Sequence, residues 1–163
     1  MHIYFFRHGI AFDQSDWSGT DGTRPLTDLG KERTCKIIVS LKTQQKLKVD
    51  AIWTSPLVRA FQTAEIAGSV VGLPIITVDE LASGTCLKGV QKAFLKRKSL
   101  PDRLMLVGHE PDFGVMIGEL IGDPCGDYAL KKAGIALLTG DLKVGAMKLL
   151  WKLDPGDILT DEV

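Results

Sequence analysis

What this sequence lacks removes whole classes of protein. It has three cysteines in 163 residues, Cys35, Cys86 and Cys125. They are odd in number and widely spaced, and no two stand at metal-ligand separation. That argues against a disulfide framework or a cysteine metal site and fits reduced thiols in a cytoplasmic protein. Charge of one sign is also missing: 20 basic residues balance 20 acidic ones. A general nucleic-acid binder needs a basic surplus, so no nucleic-acid partner is expected. No apolar run approaches the ~20 residues that cross a bilayer, so no membrane partner is expected. The first residues lack a basic n-region and Arg7 interrupts their apolar run, so no secretory signal is read there. Repeats, low-complexity tracts and linkers are absent. What remains is 45% hydrophobic and 25% charged, a composition that suits one globular domain over residues 1–163 with a real core.

The stretch Ile3-Tyr4-Phe5-Phe6-Arg7-His8-Gly9 organises the rest. Ile3 to Phe6 read as a short buried strand, β-branched and aromatic. It ends on a cation, a titratable nucleophile and a flexible residue, where an open α/β sheet places its ligands. Asp13 to Arg24 reads as a long polar loop beside that end. Thr27 is a plausible N-cap for a helix running to about Gln45. Asp50 to Thr54 is the second strand. Ser55-Pro56 then reads as a helix start, with Ser as N-cap and Pro at the first helical position. Gly72 and Pro74 stop that helix. Ile75 to Val78 is a third strand, Asp79 to Gly89 a loop, and Val90 to Lys98 a basic helix. Arg103 to Val107 is a fourth strand, leading into Gly108-His109-Glu110-Pro111 and a helix ending near Gly122. Asp123 to Lys132 reads as a turn-rich connection. Ala133 to Thr139 and Ala146 to Leu153 form a hairpin, and the acidic tail from Asp154 to Val163 is expected to fray. Strands alternating with helices imply an α/β three-layer sandwich: a mostly parallel central sheet, helices on both faces and an antiparallel edge.

On such a sheet three strand ends converge on one rim. They bring Arg7 and His8, then Arg59 in the first turns of a helix, then His109. Two arginines, two histidines and a helix N-terminus make a concentrated anion site. Arginine suits bidentate phosphate contacts, and no acidic cluster stands beside it to hold Mg²⁺. A neutral His8 can attack phosphorus and become phosphohistidine. Arg7, Arg59 and His109 can offset the charge on the transferring oxygens, and their positive charge should lower the pKa of His8. Water then frees phosphate, so neither cofactor nor metal is called for.

These residues resemble the histidine phosphatase superfamily, the phosphoglycerate mutase-like fold. The resemblance rests on Arg7-His8-Gly9, on Pro25-Leu26-Thr27-Asp28-Leu29-Gly30, on the run from Ser55 to Ala64 with Arg59-Ala60 and Thr63-Ala64, and on Gly108-His109. The four motifs occur in the family's order. The short chain and Val107-Gly108-His109-Glu110-Pro111 are similar to the SixA-like branch, whose activity is phosphohistidine phosphatase. The resemblance implies His8 as nucleophile, Arg7 and Arg59 as phosphate ligands, and His109 as the second catalytic histidine. Larger relatives carry insertions that wall in the substrate and supply an acidic proton donor. Here only the loop from Asp79 stands in that place, and Glu80 matches the donor position loosely.

The implied partner is a phosphohistidine-carrying protein domain. Two alternatives stay open: a phosphatase for small sugar or nucleotide phosphate esters, and a non-catalytic module that binds phosphate. A zinc site on His8 and His109 lacks a third ligand at suitable spacing. His2 reads as structural. Lys88, Lys92, Lys96, Arg97 and Lys98 read as a solvated face, and Trp17, Trp53 and Trp151 as packing residues. Glu110 reads as a helix-end carboxylate.

Overall fold

The computed structural model describes residues 1–160. Within them six strands form one sheet: β1 (His2–Arg7), β2 (Ala51–Thr54), β3 (Ile75–Thr77), β4 (Arg103–Gly108), β5 (Ile135–Gly140) and β6 (Met147–Leu153). Their spatial order is β3-β2-β4-β1-β5-β6. The first four run parallel, and β5 and β6 add the antiparallel side. The expected three-layer α/β sandwich is the fold observed.

Strand alternation sends neighbouring side chains to opposite faces, and two separate cores result. Ile3, Phe5, Trp53, Leu104 and Leu106 face one side and pack with residues of α3 (Leu87–Leu95) and α4 (Asp112–Ile121). Tyr4, Phe6, Ile52, Met105 and Val107 face the other side and pack with α1 (Asp28–Thr43), α2 (Val58–Val71) and α5 (Pro155–Ile158). Phe5 and Phe113 meet edge to face at 5.1 Å between centroids. Truncating either to Ala would cost about 3–5 kcal/mol by the usual cavity penalty.

Thr27 caps α1 as expected, its side chain accepting from the Gly30 amide at 3.0 Å. Gly30 also explains its own motif. A Cβ there would lie 2.0 Å from the carbonyl oxygen of Ile10. Only glycine lets α1 press against the chain that leaves His8.

Four local expectations are corrected. Ser55 is not the N-cap of α2, which begins at Val58 after Leu57; its hydroxyl accepts from the Leu57 amide ahead of the helix and also meets His109 Nε2. The helix expected from Val90 begins at Leu87 and ends at Leu95, because Leu87 is drawn into the core with Val90 and Phe94. The loop between Asp13 and Arg24 contains two short 3-10 turns, Gln14–Asp16 and Asp21–Thr23. The tail does not fray from Asp154. Asp154 and Asp157 close a capping box around α5, and Ile158 is buried. Residues 161–163 of that tail lie outside the described residues.

Candidate active site

β1, β2 and β4 lie side by side and parallel, so their carboxyl ends share one rim. Arg7 ends β1 and His8 follows it, Ser55 follows β2, and His109 follows β4. Arg59 enters from the second residue of α2. Arg59, His8 and His109 are buried, and the rings of His8 and His109 stand 5.4 Å apart. The four residues singled out in the sequence are thus brought together.

Each is held by a partner that leaves at least one nitrogen over. His8 Nδ1 donates to the Gly9 carbonyl at 2.7 Å, which leaves Nε2 with its lone pair free. Gly9 is itself fixed, its amide donating to Thr63 Oγ1 at 3.0 Å. A Cβ on Gly9 would stand 2.3 Å from Thr34 Oγ1. Arg7 Nη1 donates to the Leu130 carbonyl at 2.8 Å. Arg59 donates through Nη1 to the Asp21 carbonyl at 2.9 Å and through Nη2 to Asp21 Oδ2 at 3.1 Å. His109 Nε2 meets Ser55 Oγ at 2.7 Å. What is left over is Nε of Arg7, Nε of Arg59 and Nδ1 of His109, each buried without a protein partner. A buried polar group without a partner costs ~1–3 kcal/mol. Three around one histidine describe a cradle for an anion.

Electrostatics prepares His8. Burial lowers its pKa to about 3; the Gly9 carbonyl opposes this, and the charges of His109, Arg59 and Arg7 reinforce it. Burial likewise lowers His109 to about 4, helped by Arg59 and Arg7 and opposed by Asp21. Both rings are therefore neutral near pH 7, and His8 carries an available lone pair. Burial also lowers the pKa of both arginines, which as guanidiniums keep their charge.

Glu80 is not brought into this group. It lies in a turn (Asp79–Leu81) after β3, at the sheet edge. Its carboxylate pairs with Lys96, and that bond holds its pKa below the usual range. None of its hydrogen bonds reaches Arg7, His8, Arg59 or His109.

Asp21 and Arg24, which no sequence motif marks, sit on the polar loop after His8. Arg24 binds Asp21 Oδ1 and the Phe12 carbonyl, and the charges of Asp21 and Arg24 both reach His109. Nothing local announced them. Ser55 and Thr63 lie inside a motif that had been noted, but their roles depend on partners 54 residues away in sequence. Among the described residues no group of three or more His, Cys, Asp or Glu could hold a metal ion. No helix there is long and apolar enough to cross a membrane, and the three cysteines are free.

Comparison with known proteins agrees with this geometry. The sequence profile of the histidine phosphatase superfamily (branch 1) matches residues 3–87. An uncharacterized protein of a Picosynechococcus strain is 41% identical over 150 residues, 90% of each chain. The phosphohistidine phosphatase SixA of Escherichia coli is 26% identical over 125 residues, 74% of each. A solved structure of the protein histidine phosphatase SixA with tungstate superposes with a TM-score of 0.79 at 27% identity, over 95% of this chain and 97% of that one. With its motif residues gathered around His8 and its fold matched over nearly the whole chain, the protein belongs to the histidine phosphatase superfamily, in its SixA-like branch, and is a phosphatase.

Proposed function

We propose that the protein hydrolyses phosphohistidine on another protein, through a phosphohistidine intermediate on His8. The observation that carries this reading is a buried neutral imidazole, its Nδ1 committed to Gly9, among three unpartnered N–H donors. In the first step His8 Nε2 attacks phosphorus and the bond to the substrate's imidazole breaks. The N–H groups of Arg7, Arg59 and His109 receive the charge that builds on the phosphoryl oxygens. In the second step water attacks phosphorus, phosphate leaves, and His8 is restored.

The choice of phosphohistidine over small esters rests on the leaving group. An alkoxide needs a proton from a placed acid; a protonated imidazole leaves far more easily. Glu80, the expected donor, is tied to Lys96 as a carboxylate. The likeness to SixA proteins supports the same choice.

The test is phosphate release from a phosphohistidine-carrying protein and from a panel of sugar and nucleotide phosphates, in wild type and Glu80→Gln. The expected result is release from the phosphoprotein, changed by less than about tenfold in Glu80→Gln, where loss of a general acid would cost ~10²–10⁴-fold. Efficient ester hydrolysis with no action on phosphohistidine would establish the small-ester reading instead. Binding of phosphate without turnover would establish a binding module.

A further inference from the structure

We infer that Glu110 is a positioning residue for Arg7, acting through the backbone of Leu130. Glu110 directly follows His109, and its carboxylate is committed at both oxygens. Oε1 accepts from the Leu130 amide at 2.9 Å, and Oε2 accepts from the Gly114 amide at 3.1 Å. Leu130 is buried and turns its carbonyl to Arg7, accepting from Nη1 at 2.8 Å. One residue is thus gripped through its N–H by Glu110 and grips the catalytic-rim arginine through its C=O.

The surroundings leave this clamp little play. A Cβ on Gly114 would lie 2.9 Å from Glu110 Oε2 and 3.0 Å from the Ala129 Cα. The first turn of α4, the carboxylate and the segment before Leu130 are therefore pressed together. The same segment meets β1 twice more: Ala133 donates to the His8 carbonyl at 3.0 Å, and Arg7 donates to the Gly134 carbonyl at 3.1 Å. Since Leu130 holds one terminal nitrogen of the guanidinium, its position decides where the unpartnered Nε points. Without the carboxylate, the Leu130 and Gly114 amides lose their acceptor and the shelf under Arg7 is free to shift. Glu110 is also the charge that favours the protonated guanidinium of Arg7. The longer-range attraction of that charge and the backbone positioning therefore act in the same direction. The inference rests on Arg7 being a phosphate ligand.

The experiment is a double-mutant cycle read by orthovanadate binding in a calorimeter, with thermal unfolding recorded for each protein. Wild type should bind. Glu110→Gln keeps the size but can accept at one atom only, and should bind on the order of tenfold more weakly, as when an outer partner of a binding group is removed. In an Arg7→Ala background the same change should cost less than about twofold, because its target is gone. A general loosening of the fold would weaken binding equally in both backgrounds, and that result would overturn the inference. So would a Glu110→Gln protein that binds as wild type does. Should Glu110→Gln not fold, Gly114→Ala takes its place, pressing a methyl group on the clamp with the carboxylate intact. A wild type that does not bind vanadate would overturn the phosphate-site reading and the inference with it.

Discussion

Ser55→Ala tests the tautomer of the neutral His109 ring at a single atom. The Ser55 hydroxyl accepts from the Leu57 amide at 3.2 Å and meets His109 Nε2 at 2.7 Å. It has one proton, it is fully buried, and His109 Nε2 is the acceptor within reach. The expectation under test is that the hydroxyl donates to Nε2, so that the ring's own proton sits on Nδ1, an atom left without a protein partner. With a pKa of about 4, the ring has only that one proton near pH 7, so its tautomer decides whether it offers a donor or a lone pair. Alanine removes a bond worth roughly 1–1.5 kcal/mol net and lets the tautomers mix. Losing an oxyanion donor outright costs ~10²–10³-fold, so a ring that is merely unlocked should lower kcat/KM by about 10- to 100-fold. The Leu57 amide also loses its acceptor, at about 1–3 kcal/mol of stability. The assay is kcat/KM on the phosphoprotein, paired with ¹⁵N shifts of the His109 ring. An unchanged tautomer with kcat/KM within about twofold of wild type would refute the reasoning.

Arg7→Ala and Arg59→Ala should each lower kcat/KM by about 10²-fold or more, and His8→Ala should abolish turnover and trap no ³²P label; steady labelling of that variant would move the nucleophile elsewhere. Chelators should leave activity unchanged and vanadate should inhibit, because the rim offers guanidiniums and imidazoles and, among the described residues, no group of three or more His, Cys, Asp or Glu could hold a metal ion; EDTA inhibition reversed by Mg²⁺ or Zn²⁺ would contradict this. Acid should destabilise the fold through both histidines. Their folded pKa values, about 3 and about 4, lie below the ordinary 6.5, so between those limits the unfolded chain binds more protons. Their contribution is present above pH 6.5 and is lost as the pH falls toward 4 and then 3, on the order of several kcal/mol for the pair. Denaturant midpoints measured from pH 7 to 4.5 should fall more steeply in wild type than in His8→Ala, and parallel curves would refute the burial argument.

Local chemistry determined much of this protein. Hydrophobic runs such as Ile3 to Phe6 and Leu104 to Val107 needed no partner to be read as buried strands, because a run that long without polar relief has nowhere else to go. The Thr27 cap and the Gly72 stop are likewise decided within a few residues, and the residues at the strand ends named the chemistry before any distance was known. Tertiary structure decided what depends on a neighbour far away in sequence. The local pattern at Ser55, a hydroxyl before a proline, indicates a helix cap; the folded chain starts α2 only at Val58 and adds His109 as a second partner of that hydroxyl. Glu80 matches a proton-donor position loosely in the sequence, and only the fold shows its carboxylate paired with Lys96. Asp21 carries no motif, yet it sets the fork of Arg59 from 38 residues away. Residue types in a strand-end motif state which reaction is available. Which nitrogens of Arg7, Arg59 and His109 stay unpartnered is decided by hydrogen bonds between distant segments, and those exist only once the sheet has brought the segments together.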